Sequence, residues 1–252
     1  MTAILSIERV TKRFYGVAAL RDLSFDVEEG ELLSIIGPNG SGKTTLFNVI
    51  TGFLRADQGR VRLRGGDITG APPHAIARKG LVRTFQDVRL FASLSVLDNL
   101  RLAAQQHQEE NLLARFFWTP GVRRLEARAT DRALALLEEF GLVTYARTPA
   151  GLLSYGQRKL LEFAIAIMPE PEIVLLDEPA AAVNPTMINT LTEHVVAYNR
   201  AGHTVVLIEH NMGVVMDISH RVLVLDSGEL IAQGPPDVVR EDPLVLEAYF
   251  GH

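Results

Sequence analysis

The chain has 252 residues, 47% of them hydrophobic and 22% charged. That length suits one large α/β domain, or a domain with a modest subdomain, that needs no covalent staple. Zero cysteines exclude a disulfide framework, a thiolate metal site and a cysteine nucleophile, and 25 Lys and Arg against 30 Asp and Glu leave a net charge of −5, the wrong sign for a dedicated duplex-DNA binder.

The first ten residues hold no basic region followed by a long apolar stretch, so no secretory signal is expected. The apolar runs are strand-sized, far below the ~20 residues that span a bilayer. The chain is therefore expected to be soluble and cytosolic, with any membrane role coming through a partner. Leu23, Phe25 and Val27 alternate with Ser24 and Asp26, the pattern of a half-buried strand. After the Glu29-Gly30 turn, Leu32–Ile36 reads as a buried strand ending at Gly37, and residues 60–66 read as a short strand-turn unit. From about 88 to 168 the pattern becomes helical. Ala133, Leu136, Leu137 and Phe140 make one apolar face, Gly141 stops it, and Thr119-Pro120-Gly121 divides the stretch in two. Residues 88–168 are read as a helical subdomain inserted into a core formed by about 1–87 and 169–252.

Beyond it, residues 173–176 read as a strand. Asn184 is placed to cap a helix with Pro185 at its first position. Ile188, Leu191, Val195 and Tyr198 line that helix's buried face, and Gly202 ends it. Thr204–Ile208 is the next strand and residues 211–219 a short helix, followed by a hairpin, 222–225 with 229–232, across Asp226-Ser227-Gly228. This alternation predicts an α/β fold whose core is a mainly parallel sheet with helices on both faces.

Gly37-Pro38-Asn39-Gly40-Ser41-Gly42-Lys43-Thr44, followed by Thr45, matches G-x-x-x-x-G-K-[ST] after a buried strand and before a helix. Glycines let backbone N–H groups surround a phosphate without side-chain clash, and the following helix N-terminus aims partial positive charge at it. Lys43 is suited to the β- and γ-phosphates and the Thr44 hydroxyl to Mg²⁺. The spacing is not the G-x-G-x-x-G of dinucleotide binders. Downstream, Asp177-Glu178 ends an apolar strand. There Asp177 can hold Mg²⁺ through a water and Glu178 can polarise an attacking water, the alternation of side-chain directions giving adjacent acids different tasks.

Five motifs in order resemble the ABC-type ATPases, and the resemblance covers essentially residues 4–250. They are the phosphate loop, Gln86 in Arg83-Thr84-Phe85-Gln86 as the Q-loop, Leu153-Ser154-Tyr155-Gly156-Gln157 as the signature, the Asp177-Glu178 strand, and His210 as the switch histidine. Seen alone, Ser154 also suits the cap of a helix over 157–168. The resemblance implies a P-loop ATPase core with an N-terminal antiparallel β subdomain and the inserted helical subdomain. It implies that two such subunits pair head to tail around two ATP molecules. Ser154 and the Gly156 N–H then complete the γ-phosphate site in trans. Glu178 acts as general base, His210 contacts the γ-phosphate, Gln86 reaches Mg²⁺ and the attacking water, and Asn184 lies in the D-loop. An aromatic near the end of the first strand stacks on adenine, and Phe14 is favoured over Tyr15, with the other ring expected in the core.

The chain departs from the family's usual pattern at three places. Tyr155 replaces a common glycine, as it often does in the branched-chain amino acid group. Ala182-Val183 stands where glycine and leucine are usual, and alanine restricts positive φ. Ile165 replaces a common arginine. Arg83-Thr84-Phe85-Gln86 with Arg89-Leu90-Phe91, Asn184-Pro185, Glu209-His210-Asn211-Met212 and the closing Ala248-Tyr249-Phe250-Gly251 resemble the importer ATPases for branched-chain amino acids. This implies two transmembrane permease subunits, a second ATPase (the same chain or a related one), an extracytoplasmic binding protein acting through the permeases, and a position on the inner face of the cell membrane. No nucleic-acid partner is expected. Importers of other hydrophobic amino acids, urea and amide importers, lipid or lipopolysaccharide exporters and soluble ABC ATPases are the alternatives. Residues 88–94 are the expected permease contacts. Arg115-Phe116-Phe117-Trp118 with Arg123, Arg124, Arg128 and Arg132 is read as aromatics inside the helical subdomain and arginines on its solvated face, or else as a docking surface.

Overall fold

The computed structural model describes residues 3–85, 88–104 and 120–250, so Gln86 and the 115–118 aromatic stretch lie outside the described residues. The chain divides into two compact units. The first comprises residues 1–86, 172–182 and 188–252, and the second 87–171 and 183–187.

In the first unit, β1 (Ala3–Phe14) and β2 (Val17–Glu28) pair antiparallel, and β4 (Gln58–Leu63) and β5 (Gly66–Asp67) complete a four-stranded sheet in the order β2-β1-β4-β5. Leu23, Phe25 and Val27 are buried, as their alternation requires. A second sheet of six strands runs β10-β9-β3-β8-β7-β6. Its members are β3 (Leu32–Ile36), β6 (Leu81–Arg83), β7 (Ile173–Asp177), β8 (Thr204–Ile208), β9 (Arg221–Asp226) and β10 (Glu229–Gly234). All pairs are parallel except the β9–β10 hairpin. Every residue of β3, β7 and β8 is buried, which is why these strands read as continuous apolar runs rather than alternating ones.

The sheet's helices are α1 (Lys43–Ile50), α2 (Pro73–Arg78), α6 (Pro185–Arg200), α7 (Met212–Ile218), α8 (Pro236–Arg240) and α9 (Pro243–Phe250), of which α6 begins in the second unit. Asn184 accepts the Met187 N–H at 2.9 Å, so the predicted cap of α6 forms. Tyr249 of α9 packs on the cluster around Ile36, the last residue of β3. Burial pushes its hydroxyl pKa up, with the Gly37 amide pulling the other way.

The second unit holds α3 (Val96–Ala104), α4 (Pro120–Glu139) and α5 (Tyr155–Ile167). Ala133, Leu136, Leu137 and Phe140 are buried, the Phe140 ring meets Phe163 edge-on at 5.6 Å, and Gly141 turns the chain away with φ 65. Buried Asn99 organises the segment before α3. Its side chain accepts the Phe91 N–H and donates to the Phe91 and Ser95 carbonyls. Arg123, Arg124 and Arg128 are exposed, as both the solvated-face and the docking readings require. Arg132 departs from both. Its guanidinium donates to the Met168 and Ile167 carbonyls and pairs with Glu170, closing the C-terminal end of α5. Among the described residues no helix is long and apolar enough to cross a membrane.

Candidate functional site

The phosphate loop leaves β3 at Gly37 and enters α1 at Lys43. A Cβ on Gly37 would lie 2.0 Å from the Leu225 carbonyl oxygen, and one on Gly42, at φ 104, 2.5 Å from that of Ala19. The loop thus passes between two other backbones, and only glycine fits at those points. The Ser41 carbonyl accepts the Gly228 N–H at 3.0 Å, so the β9–β10 turn braces the loop from outside. No side chain caps α1, which leaves its first N–H groups available to an anion.

Lys43 lies across this loop and donates to the Gly37 carbonyl at 2.8 Å, the Pro38 carbonyl at 2.9 Å and the Ser41 hydroxyl at 3.1 Å. Burial pulls its pKa below the ordinary lysine value, opposed by the negative charges of Glu178 and Asp177. The acids at the end of β7 and the lysine therefore share one electrostatic neighbourhood. Thr44 is exposed at the first turn of α1, with Thr45 half-buried beside it.

Asp177 ends β7 with its carboxylate buried against Arg83, whose Nη2 is 2.6 Å away. The two side chains are only 4% and 5% exposed. The same guanidinium donates to Asn48 of α1 at 2.6 Å and lies between the Phe47 and Phe85 rings. One buried arginine thus ties the acidic strand to the helix behind the phosphate loop. The next residue, Glu178, takes a left-handed φ of 49, its N–H donating to the Ile208 carbonyl. Its Oε1 lies 2.8 Å from His210 Nε2. Adjacent acids have acquired different partners, one a buried cation and the other an imidazole.

In the second unit, Ser154 caps α5 through a reciprocal pair. Its hydroxyl accepts the Gln157 N–H at 3.3 Å, and the Gln157 side chain accepts the Ser154 N–H at 2.9 Å. The helix therefore starts at Tyr155, two residues before the expected Gln157, because this box fixes its first turn. Leu153 is buried, Ser154 is exposed, and the Tyr155 ring is flanked by Arg158 and Lys159. A Cβ on Gly156 would press on Met187 at 2.7 Å.

Residues 20–181 match the ABC transporter family, and residues 229–252 match the family described as branched-chain amino acid ATP-binding cassette transporter. The chain belongs to the ABC transporter family. It is 45% identical over 250 residues, 98% of each chain, to the high-affinity branched-chain amino acid transport ATP-binding protein BraF of Pseudomonas aeruginosa. It is 41% identical over 249 residues, again 98% of each, to the ATP-binding protein LivG of Escherichia coli strain K12, named for the same transport. An ATP-binding cassette of an ABC transporter, solved in its ADP conformation, superposes with a TM-score of 0.85 over the whole of both chains at 36% identity.

As an ABC ATPase, the protein binds and hydrolyses ATP in transport. Phe14, the expected adenine platform, is 39% exposed at the end of β1, with the Lys12 ammonium 5.5 Å from its ring centroid. Tyr15 is fully exposed at the turn. Neither ring joins the core, contrary to the expectation that one would, because both sit at the tip of the β1–β2 hairpin, where Phe14 opposite Val17 is the last rung. Ala182 adopts the left-handed φ of 58 despite its Cβ. The structure offers no account of Ile165. Arg83 is the residue that sequence reasoning missed. It was read only as part of the Arg-Thr-Phe-Gln motif, and a buried partner 94 positions away leaves no local signal.

Proposed function

We propose that this chain is the ATPase of an importer for branched-chain amino acids. The similarity to BraF and LivG over nearly the whole chain carries this reading, supported by the match of the C-terminal 24 residues to the branched-chain family. It works from the cytoplasmic face of the membrane, beneath two permease subunits and beside a second ATPase subunit, with an extracytoplasmic binding protein delivering the substrate.

Within the site, the loop of Gly37, Pro38, Asn39, Gly40, Ser41, Gly42, Lys43, Thr44 and Thr45 surrounds the phosphates, its N–H groups donating from residues other than Pro38, which has none, and Phe14 stacks on adenine. Lys43 exchanges its three loop acceptors for phosphate oxygens when nucleotide enters. The Thr44 hydroxyl and the Gln86 amide oxygen, with the Asp177 carboxylate reaching through a water, are the hard oxygen donors that suit Mg²⁺. That ion, when bound, neutralises charge building on the transferred phosphoryl group. Arg83 holds Oδ2 of Asp177 and so fixes how the carboxylate faces the loop. Glu178 takes the proton of the attacking water as its oxygen bonds to the γ-phosphorus and the bond to ADP breaks. His210, already paired with Glu178, meets the γ-phosphate. Ser154, Tyr155 and the Gly156 N–H of the opposing subunit, with Leu153 and Gln157 behind them and Asn184 in the D-loop, close the cage.

The test is to purify the chain with its retained membrane partners, reconstitute the complex in vesicles and follow ATP-driven uptake. Accumulation of leucine, isoleucine or valine supports the reading. Transport of urea, or outward movement of lipid, overturns the substrate assignment, and the absence of permeases overturns the transporter.

A further inference from the structure

Four carboxylates are buried among the described residues, on Glu31, Glu162, Asp177 and Glu209. The first three face cations, Arg221, Lys159 and Arg83 respectively. Glu209 differs. It is 3% exposed, and its partners are backbone N–H groups. Oε1 accepts from Ala180 at 2.8 Å, and Oε2 accepts from His210 at 3.0 Å and Asn211 at 3.3 Å. A carboxylate is costly to bury, and one held by main-chain donors alone fixes those donors relative to one another.

The donors belong to two separate segments. Ala180 follows β7 and His210 follows β8, neighbouring strands whose ladder ends at Asp177 opposite Ile208. Beyond that point the Glu178 N–H still reaches the Ile208 carbonyl at 2.9 Å, and the Glu209 side chain then supplies the next link. Glu178 is thereby pinned at its own N–H and again two residues later. Pinning from both sides lets a non-glycine residue hold a φ of 49. On the opposite segment, the same carboxylate grips the amide of the residue whose imidazole meets Glu178 at 2.8 Å.

We propose that Glu209 is a positioning residue for hydrolysis. Its carboxylate clasps the two segments together and sets the Glu178–His210 pair. The inference rests on Glu178 acting as the base. Glu209→Gln keeps the volume but turns one of the two oxygens into an amide nitrogen that cannot accept, so one arm of the clasp is lost.

On the full-length chain, kcat for ATP is expected to fall at least tenfold with KM and the ATP Kd within twofold. Deuterium uptake should rise at the donors of the arm that is lost, Ala180 on one side or His210 and Asn211 on the other, while exchange elsewhere stays as in the parent. A kcat within twofold of the parent overturns the proposal, as does a kcat loss with unchanged exchange at those amides. Should the variant not fold, Glu209→Asp, which keeps the charge but is too short for both arms, is read against the same outcomes. Glu178→Gln measured alongside separates the two failures. Parent-like turnover there sinks the role of Glu178, whereas an inactive Glu178→Gln with a parent-like Glu209→Gln sinks only the clasp.

Discussion

Two loops leave the carboxyl ends of strands in the same sheet, and they reach unusual backbone conformations by opposite means. The loop after β3 places glycine at each positive φ, at Gly37, Gly40 and Gly42. The loop after β7 uses Glu178 and Ala182 instead, with φ of 49 and 58. In the proposed function the first loop presents its backbone to the phosphates, so a side chain there is only an obstruction. The second offers the carboxylate of Glu178 as the base, and a glycine at that position has none. A non-glycine residue in such a region costs about 1–3 kcal/mol, and the hydrogen bonds of Glu178 and Ala180 to the neighbouring segment hold it there. One loop is shaped by what it lacks and the other by what surrounds it.

The comparison breaks most visibly at Glu178. Glu178→Gln keeps the size and removes the base, so turnover should drop about 10²–10⁴-fold while ATP still binds and a nucleotide-bound dimer accumulates. Steady-state hydrolysis and gel filtration with ATP measure both, and parent-like hydrolysis would show that the strained loop serves another purpose. The complementary change adds a side chain where the first loop tolerates none. Gly37→Ala sets a methyl against the Leu225 carbonyl, which cannot retreat without shifting β9. The expected loss is about 3 kcal/mol from overpacking and backbone strain together, or about 6–12 °C in Tm for a chain of this size. Thermal unfolding with and without ATP reads it, the nucleotide's stabilising effect shrinking in the variant.

The same contrast accounts for what could be read in advance. The phosphate loop is legible because its geometry constrains residue types, three glycines and a lysine within eight positions. The buried strands are legible because a sheet covered on both faces needs unbroken apolar runs. The surroundings of the second loop are not. Arg83 meets Asp177 across 94 positions of sequence, and the partnership depends on β6 lying beside β7. Glu209 binds main-chain N–H groups, which every residue but proline carries, so nothing in the residue types marks the partners. Arg132 escaped in the same way, its acceptors being carbonyls at the end of α5. Short elements such as α2, β6 and α8 leave no mark because six, three and five residues give too little periodicity. At Tyr155 the helix start was misplaced although Ser154 and Gln157, three apart, carried the capping-box signal.

The smallest effect sharpens the comparison at its other strained position. Ala182 holds a φ of 58 where a glycine is free of the Cβ clash worth about 1–2 kcal/mol. Ala182→Gly removes that clash but gives the unfolded chain more freedom, which takes back about 0.5–1 kcal/mol. The net change should be stabilising by about 0–1.5 kcal/mol, a rise in Tm of up to about 6 °C, with ATP turnover within twofold of the parent because no functional side chain is lost. Denaturant unfolding of the two chains decides the sign. A clear loss of stability would mean that the Ala182 methyl makes contacts worth more than the strain, and the second loop would then owe its shape to packing as well as to the hydrogen bonds that flank Glu178.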